Sequence, residues 1–290
     1  MKGILRTDRS GVTNVVSMIM ILAIIVSFMG MVFATYLPAF GKDLEFQTLN
    51  EVMDSFMDLK SGLDRLSVGG DSGTSLTTKV TLGSDGGPVF GFGRMTGSLN
   101  LYEESGLITV DDSAGFTYGQ GRGTVMYRSN NLYVEDQIIT MEGGAIIRDQ
   151  AGSSVLKGPP NMVLDNDVFT GSMSLYFLLI NLEGESVSFS GTGSYLISTT
   201  LLTEEISSYA VSAGTDIIVT IETSHGDVWE NTVDDIMEGE GLVKDVYDEV
   251  GGTWTNNDYR VEIAGDTVSL TVRGLTELVV RSSFFRVTMT

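Results

Sequence analysis

Few residues in this chain can do chemistry by themselves, because it has a single histidine, His225, and no cysteine. Without a thiol, a nucleophile activated by a neighbouring base would have to use His225 as that base. No Gly-x-Ser-x-Gly elbow occurs to supply a partner serine. One histidine also cannot build a histidine-based metal site. We therefore expect no enzyme activity and expect His225 to be structural or exposed, at a turn between a strand and a helix.

Carboxylates are the other candidate ligands, and they are densest between residues 227 and 249. This stretch holds nine acidic residues against Lys244 alone. Oxygen ligands of this kind suit calcium. No run matches the twelve-residue calcium loop, however, and Asp165-Asn166-Asp167 is only a fragment of one. We expect a solvated acidic face and no cofactor, with calcium as a weak alternative that the pattern leaves open.

The charge of the chain is uneven along its length. The formal net charge is −21, yet the first eleven residues are net positive, with Lys2, Arg6 and Arg9 against Asp8. An acidic body repels phosphate backbones, so the composition argues against a nucleic-acid partner.

The elements that position these residues begin with an apolar run at the N-terminus. Thirty consecutive residues from Val12 to Gly41 carry no charge, whereas about 20 suffice for a helix to cross a bilayer. The apolar residues surround the helix instead of forming one stripe. The basic flank should stay cytoplasmic, with the acidic bulk outside. The residues expected to face lipid or neighbouring helices are Val15, Val16, Ile19, Leu22, Ile25, Phe28 and Phe33.

Three kinds of processing fit such a segment. A conventional signal peptide would be cut after the run, near Val32-Phe33-Ala34, which loosely fits the small-residue rule. A plain signal anchor would not be cut. Cleavage before the run would leave the apolar segment on the mature protein.

The residues at the start of the run resemble the leader of archaeal type IV prepilins. Thr7-Asp8-Arg9-Ser10-Gly11 is followed by Val12-Thr13-Asn14-Val15, which is similar to the Val-Ser-x-Val opening of that family. The resemblance implies that a prepilin peptidase cuts between Gly11 and Val12. It further implies that the mature chain has the membrane, other pilin subunits and the pilus assembly machinery as partners. Val16 stands where bacterial pilins usually carry Glu, as in many archaeal pilins.

A second helical pattern follows the apolar run. Glutamate, aspartate and lysine residues fall mostly between apolar positions that recur every three or four residues, at Leu49, Val52, Met53, Phe56, Leu59, Leu63 and Leu66. This pattern predicts an amphipathic helix that ends near Gly69-Gly70. Pro38 predicts a kink or break between the two halves. Together, residues 12–70 are expected to form a helical stem behind a leader of residues 1–11.

Short alternating runs separated by turn residues predict a β-rich head over residues 75–202 and a smaller α+β part over 203–290. A hairpin turn is predicted at Asn130-Asn131, and a helix over residues 227–250, although Gly239 and Gly241 can divide it. The expected strands are Leu76–Leu82, Ser98–Tyr102, Leu107–Val110, Gly123–Arg128, Asn131–Glu135, Ile138–Met141, Ser172–Asn181, Val187–Phe189, Tyr195–Leu201, Asp216–Glu222, Tyr259–Ala264, Thr267–Val272 and Leu278–Thr288.

The sequence thus predicts an α+β protein with a long N-terminal helix and a mostly antiparallel head. The head resembles a group of large archaeal pilin-like proteins, to which no activity is attached, at Gly123–Tyr127, Glu142–Ile147, Gly158-Pro159-Pro160 and Trp229-Glu230. We expect a pilin-like subunit of an archaeal surface filament, of the minor or accessory kind, with adhesion as an open role. Its place would be the cell membrane, with an extracellular head, or a surface filament. The rival from another class is a single-pass membrane-anchored extracellular binding protein that does not assemble.

Overall fold

The computed structural model describes residues 9–86, 94–248 and 252–290, with side chains from residue 15 onward. Of the expected leader, residues 1–8 lie outside the described residues, while residues 9–11 already belong to the first helix. The predicted α+β class is confirmed: a long N-terminal helix precedes sheets that are mostly antiparallel, and a short helix lies in the C-terminal part.

The stem is one continuous helical rod in three segments. Helix α1 spans Arg9–Met31, a π-helical turn spans Val32–Tyr36, and helix α2 spans Leu37–Gly69. Of the kink or break predicted at Pro38, the break is wrong, because the chain stays helical through this residue. In a regular α-helix the Pro38 ring would collide with the carbonyl four residues earlier. The wider π turn lies directly before this proline and interrupts the regular hydrogen-bond pattern there.

The head contains eighteen strands in the described residues. They are β1 Ser75–Thr81, β2 Thr96–Tyr102, β3 Ile108–Asp112, β4 Thr117–Gly121, β5 Thr124–Asn130, β6 Gln137–Glu142, β7 Ala145–Gln150, β8 Ser153–Gly158, β9 Met162–Asp167, β10 Ser172–Glu183, β11 Ser188–Gly191, β12 Ser194–Ala210, β13 Ile217–Glu222, β14 Tyr247–Asp248, β15 Thr253–Trp254, β16 Tyr259–Ala264, β17 Thr267–Val272 and β18 Glu277–Met289.

These strands form three large sheets and one small hairpin. The first sheet has the order β1-β12-β18-β10-β9, the second β11-β2-β5-β6-β7-β8 and the third β16-β17-β13-β3-β4. Pairing is antiparallel throughout except between β10 and β18, which run parallel. The boundary expected between residues 202 and 203 falls inside β12, and β18 lies between β12 and β10. Strands from both sides of residue 202 thus share the first and the third sheets.

One local prediction in the head is wrong, and a second is right only for its first part. Residues 131–136 form the loop between β5 and β6, so Asn131–Glu135 is not a strand and the turn is longer than Asn130-Asn131. The helix predicted over 227–250 is α3, Gly226–Gly239; it is followed by a turn at Gly241, whose φ is +81°. The left-handed backbone that a glycine allows ends the helix there, and residues 249 and 250 lie outside the described residues.

The interior has two clusters of buried apolar side chains. The stem cluster joins one face of α2 to the first and second sheets, and Val52, Phe56 and Leu63 are completely buried in it. The head cluster joins the third sheet and α3 to the first sheet around Trp229, which is 1% exposed. Because α2 is itself part of the core, the head fixes the direction in which the rest of the stem projects.

Candidate functional site

The N-terminal part of the stem stands clear of the head. Every residue from 15 to 36 is exposed except Val32, which is half-buried, and the most apolar window has a mean hydropathy of 2.7 with none of its residues buried. All seven residues predicted to face lipid or helices lie on this segment, from Phe33 at 43% exposed to Phe28 at 66%. The apolar side chains therefore point to all sides, and a helix of this kind needs apolar neighbours all around it. We call residues 15–36 the free stem.

The packed stem, residues 37–69, begins where the head first covers the helix. Leu37 is 8% exposed, and the buried positions then repeat along one face. At the start of this face Gly41 meets the Tyr133 ring, and a Cβ at residue 41 would overlap that ring. Glycine is therefore needed for the loop between β5 and β6 to approach the helix so closely.

A buried carboxylate fixes this loop to the stem. Glu45 is fully buried, and its Oε1 accepts a hydrogen bond of 2.8 Å from the backbone N–H of Leu132. Its Oε2 accepts bonds of 2.9 Å and 2.8 Å from the N–H groups of Tyr133 and Val134. Three successive N–H groups thus converge on one carboxylate, as in backbone nests that bind anions. Hydrogen bonds to an ionised acceptor are the stronger kind, so Glu45 holds the loop at a defined height on the stem.

Two further polar contacts hold the packed stem. Lys60, 7% exposed, donates hydrogen bonds of 2.8 Å to Asp64 Oδ2 and to Asn161 Oδ1, and Asn161 donates back to Asp64. Near the C-terminal end of the helix, Arg281 donates to the backbone oxygen of Ser67 over 2.8 Å. Together with the Glu45 contacts, these bonds join the packed stem to the head near both of its ends.

His225 lies in a buried ionic cluster in the head. Its Nε2 lies 3.0 Å from Asp149 Oδ2 and its Nδ1 lies 3.2 Å from Glu142 Oε1. The same Glu142 oxygen accepts hydrogen bonds from Thr223 at 2.5 Å and from the indole N–H of Trp229 at 2.9 Å. The cluster therefore ties the start of α3 to β6 and β7 of the second sheet.

The charges of this cluster follow from its geometry. Hydrogen bonds to Asp149 and then to Glu142 outweigh the opposing effect of burial and raise the pKa of His225 to about 10. Burial raises the pKa of Asp149, but hydrogen bonds from His225 and Ser154 bring it below its ordinary value. His225 is thus an imidazolium whose two N–H groups both point at carboxylates. Neither nitrogen is available to take a proton from a serine, so the geometry favours the structural role expected for this residue.

Three carboxylates of the acidic stretch, Glu230, Asp234 and Asp245, form ion pairs. Lys244 contacts Glu230 at 2.8 Å and Asp234 at 2.6 Å. Asp245, 3% exposed, contacts Arg273 at 2.8 Å and accepts the backbone N–H of Asn257. Within residues 9–86, 94–248 and 252–290, no group of three or more histidine, cysteine, aspartate or glutamate residues is placed to hold a metal ion. The described part of the acidic stretch, up to Asp248, therefore gives no geometric support to the calcium alternative.

Sequence reasoning missed the buried charged residues that organise these contacts. Glu45 and Lys60 each lie four residues from an apolar member of the buried stripe, Leu49 and Phe56. A charged residue on an apolar stripe is the signal that a buried polar partner exists, but the partner itself comes from a loop 87 or more residues away. Glu142 and Asp149 carried no such signal, because each lies at or near the end of an alternating strand.

Fold and site together define a protein with a long N-terminal apolar helix followed by a β-rich domain, an arrangement that suggests a membrane anchor or a signal sequence. The chain belongs to a family of unknown function (DUF7289), whose model matches residues 10–271. Neither the curated proteins nor the solved structures contain a match. The family match takes in nearly all of the stem and most of the head, so these two parts belong to one family unit.

Proposed function

We propose that this chain is a type IV pilin-like subunit of an archaeal surface filament, of the minor or accessory kind. The observation that carries the proposal is the contrast within one continuous helix between an exposed apolar free stem and a packed stem built into the head. Before assembly, lipid can surround the free stem, and in a filament equivalent helices of other subunits can do so. The same helix then serves two environments without refolding.

The processing step completes this proposal. A prepilin peptidase would cut between Gly11 and Val12, which leaves the apolar segment on the mature chain. The bond would lie at the cytoplasmic side of the membrane, where the basic leader is retained. Cleavage would free the subunit for the assembly machinery and place the head outside the cell.

The experiment that tests the proposal is the identification of the N-terminal residue in membrane and surface-shear fractions by mass spectrometry. The proposal expects a mature chain that starts at Val12 and occurs in the shear fraction. Gly11→Leu should leave the leader attached and empty the shear fraction, whereas Ser75→Ala, a change of a distant surface residue, should do neither. A mature chain that starts at Met1 would favour the membrane-anchored binding protein. A mature chain that starts near Thr35 would contradict the filament proposal.

A further inference from the structure

Lys60, Asp64 and Asn161 form a closed triangle of polar side chains between the stem and the head. Lys60 Nζ lies 2.8 Å from Asn161 Oδ1 and 2.8 Å from Asp64 Oδ2. The third side of the triangle joins Asn161 Nδ2 to Asp64 Oδ1 over 2.6 Å. We call these three residues the amide triad. A lysine amine, a carboxamide and a carboxylate thus meet in one place, and an amine of this kind can act as a nucleophile toward a carbonyl carbon.

The amine of the triad lies close to the carbon that it would attack. An amide oxygen is about 1.2 Å from its carbon, so Lys60 Nζ is within about 4 Å of Asn161 Cγ. Reacting atoms at about 3–3.5 Å define a near-attack arrangement. The amine must also approach the face of the amide. A turn about the Cβ–Cγ bond of Asn161 presents that face, because torsions of this type have broad energy wells.

The surroundings hold both reacting side chains in place. Lys60 is 7% exposed, and a Cβ at Gly158 would lie 3.4 Å from its Cδ, so the aliphatic part of the lysine packs against the backbone before β9. The backbone oxygen of Asn161 accepts a 2.9 Å hydrogen bond from the N–H of Leu178. A Cβ at Gly144 would lie 3.1 Å from Asn161 Nδ2, so this glycine leaves room beside the amide nitrogen. The fold has therefore already brought amine and amide together, which removes an entropy cost from their reaction.

Asp64 is placed to move the protons that the reaction needs. Its Oδ2 contacts the attacking nitrogen, and its Oδ1 contacts the nitrogen that would leave. One carboxylate can therefore take a proton from the lysine and return it to the departing group, as a general base and then a general acid. Asp64 follows Lys60 by four residues on the same helix, so the helix itself fixes their spacing.

We propose that Lys60 and Asn161 join in the folded chain through an isopeptide bond. Asp64 takes a proton from the lysine ammonium, and the free amine attacks Asn161 Cγ, whose carbonyl electron pair moves onto Oδ1. The carbonyl then re-forms as the Cγ–Nδ2 bond breaks. The leaving nitrogen keeps its two protons and receives, through Asp64, the two protons that Nζ has lost. One ammonium ion is released, the carboxylate is regenerated, and no oxidant or reductant is needed.

The bond would tie the packed stem to the head covalently. The chain has no cysteine, so a disulfide cannot do this. Lys60 and Asn161 are 101 positions apart, and a cross-link that closes a long loop restricts the unfolded chain strongly. The reaction needs only the folded head, with or without a filament. In a filament, the bond would carry tension from the stem into the head without relying on the stem cluster.

Comparison of the parent chain with Lys60→Arg tests the bond. Arginine keeps the positive charge and can donate to the same oxygens, but it has no amine that attacks. The intact masses of the full chains, purified in detergent, should differ by the substitution and by one ammonia, which the parent alone has lost. Both chains share any processing of the N-terminus, so this difference does not depend on where the mature chain starts. Digestion of the parent with trypsin and an aspartate-specific protease should give a branched peptide that joins Lys60 to Asn161.

Two further variants separate the reaction from packing. Asp64→Asn keeps the shape of the side chain but cannot take the proton, so the bond should form about a hundredfold more slowly. This rate is measured from the intact mass at successive times after a pulse of synthesis. Lys42→Arg changes an exposed lysine of the same helix and should leave the chain fully linked. Circular dichroism of Lys60→Arg and Asp64→Asn should match the parent, which separates a missing bond from unfolding.

Two results would overturn the proposal. A parent chain that keeps the full mass of both side chains after prolonged incubation, and is cut by trypsin after Lys60, would mean that the triad is only a set of hydrogen bonds. A loss of ammonia that persists in Lys60→Arg would mean that Asn161 has cyclised on its own backbone. The start of the mature chain is a separate readout. A start at Val12 without the bond contradicts only this reaction, whereas a linked chain that starts at Met1 contradicts only the filament proposal.

Discussion

The free stem and the packed stem are parts of one helical rod, yet their surroundings differ completely. The packed stem buries one stripe, with Phe56 and Leu63 fully enclosed, and turns charged residues such as Glu51 and Asp58 to solvent. The free stem has apolar residues on every side and none of them is covered by the head. Secondary structure is therefore independent of environment here, and the difference lies in how apolar residues are distributed around the helix.

This difference indicates which contacts stabilise each part. The packed stem is stabilised by the head and cannot leave it without opening the stem cluster. The free stem gains little burial from the head, and in the proposed function lipid or other helices cover its apolar surface. Substitutions in the two parts should accordingly change different measured quantities, and three experiments test how far this separation holds.

The largest effect should come from Phe56→Ala. Removal of a fully buried phenyl ring should lower the free energy of unfolding of the head by about 3–5 kcal/mol, measured by denaturant titration with tryptophan fluorescence. The matched change Ile24→Ala, at a residue 69% exposed, should leave that free energy unchanged and weaken membrane association instead. Equal destabilisation by both variants would contradict the separation.

The next effect is a loss of head stability at alkaline pH. The pKa of His225 rises from its ordinary 6.5 to about 10 in the folded chain, so its contribution is complete below pH 6.5 and is lost as the pH climbs toward 10. The free energy of unfolding should fall by on the order of 3 kcal/mol over this range. The parent should therefore be more stable than His225→Phe at neutral pH, and this difference should vanish at high pH. Membrane association should not follow this curve, because His225 and its partners Glu142 and Asp149 lie in the head and not on the free stem.

The smallest effect concerns the joint between the two parts. Glu45→Gln keeps the shape of the side chain but removes the charge that three backbone N–H groups share, and should destabilise the head by about 2 kcal/mol. Glu51→Gln, on the exposed side of the same helix, is the matched control and should have little effect. Hydrogen exchange of the Leu132, Tyr133 and Val134 amides should accelerate only in Glu45→Gln. Unchanged protection of these amides would show that the Glu45 carboxylate is not needed to hold the loop on the stem.

Local patterns predicted the helices and strands that have a strong period of their own. The amphipathic stripe from Leu49 to Leu66 gave the packed stem, and alternation gave β13, β16 and β17 close to their observed bounds. The strand predicted at Asn131–Glu135 failed because Glu45, far away in sequence, offers these amides a better acceptor than a neighbouring strand. The π turn before Pro38 was missed for a different reason, since it is a local adjustment of the helix that no residue pattern indicates.

The candidate site divides in the same way. The apolar free stem could be predicted in full from the sequence, because it is recognised by its apolar composition and needs no partner within the chain. The cluster around His225 was not, because Glu142 and Asp149 approach it only when β6 and β7 pack beside α3. The sequence can indicate that a buried charged residue needs a partner of opposite charge. Which residue becomes that partner is decided by the fold.

By itself, the sequence determined the class of this protein: an apolar helix too uniform for a soluble core, an amphipathic continuation, and a β-rich acidic head. Hydrophobic periodicity is a local property, so it is present before the chain folds. The order of strands in the sheets, the three amides gathered by Glu45 and the charge on His225 follow only from the tertiary structure. Each of these joins residues distant in the chain, and such contacts come from packing the whole molecule.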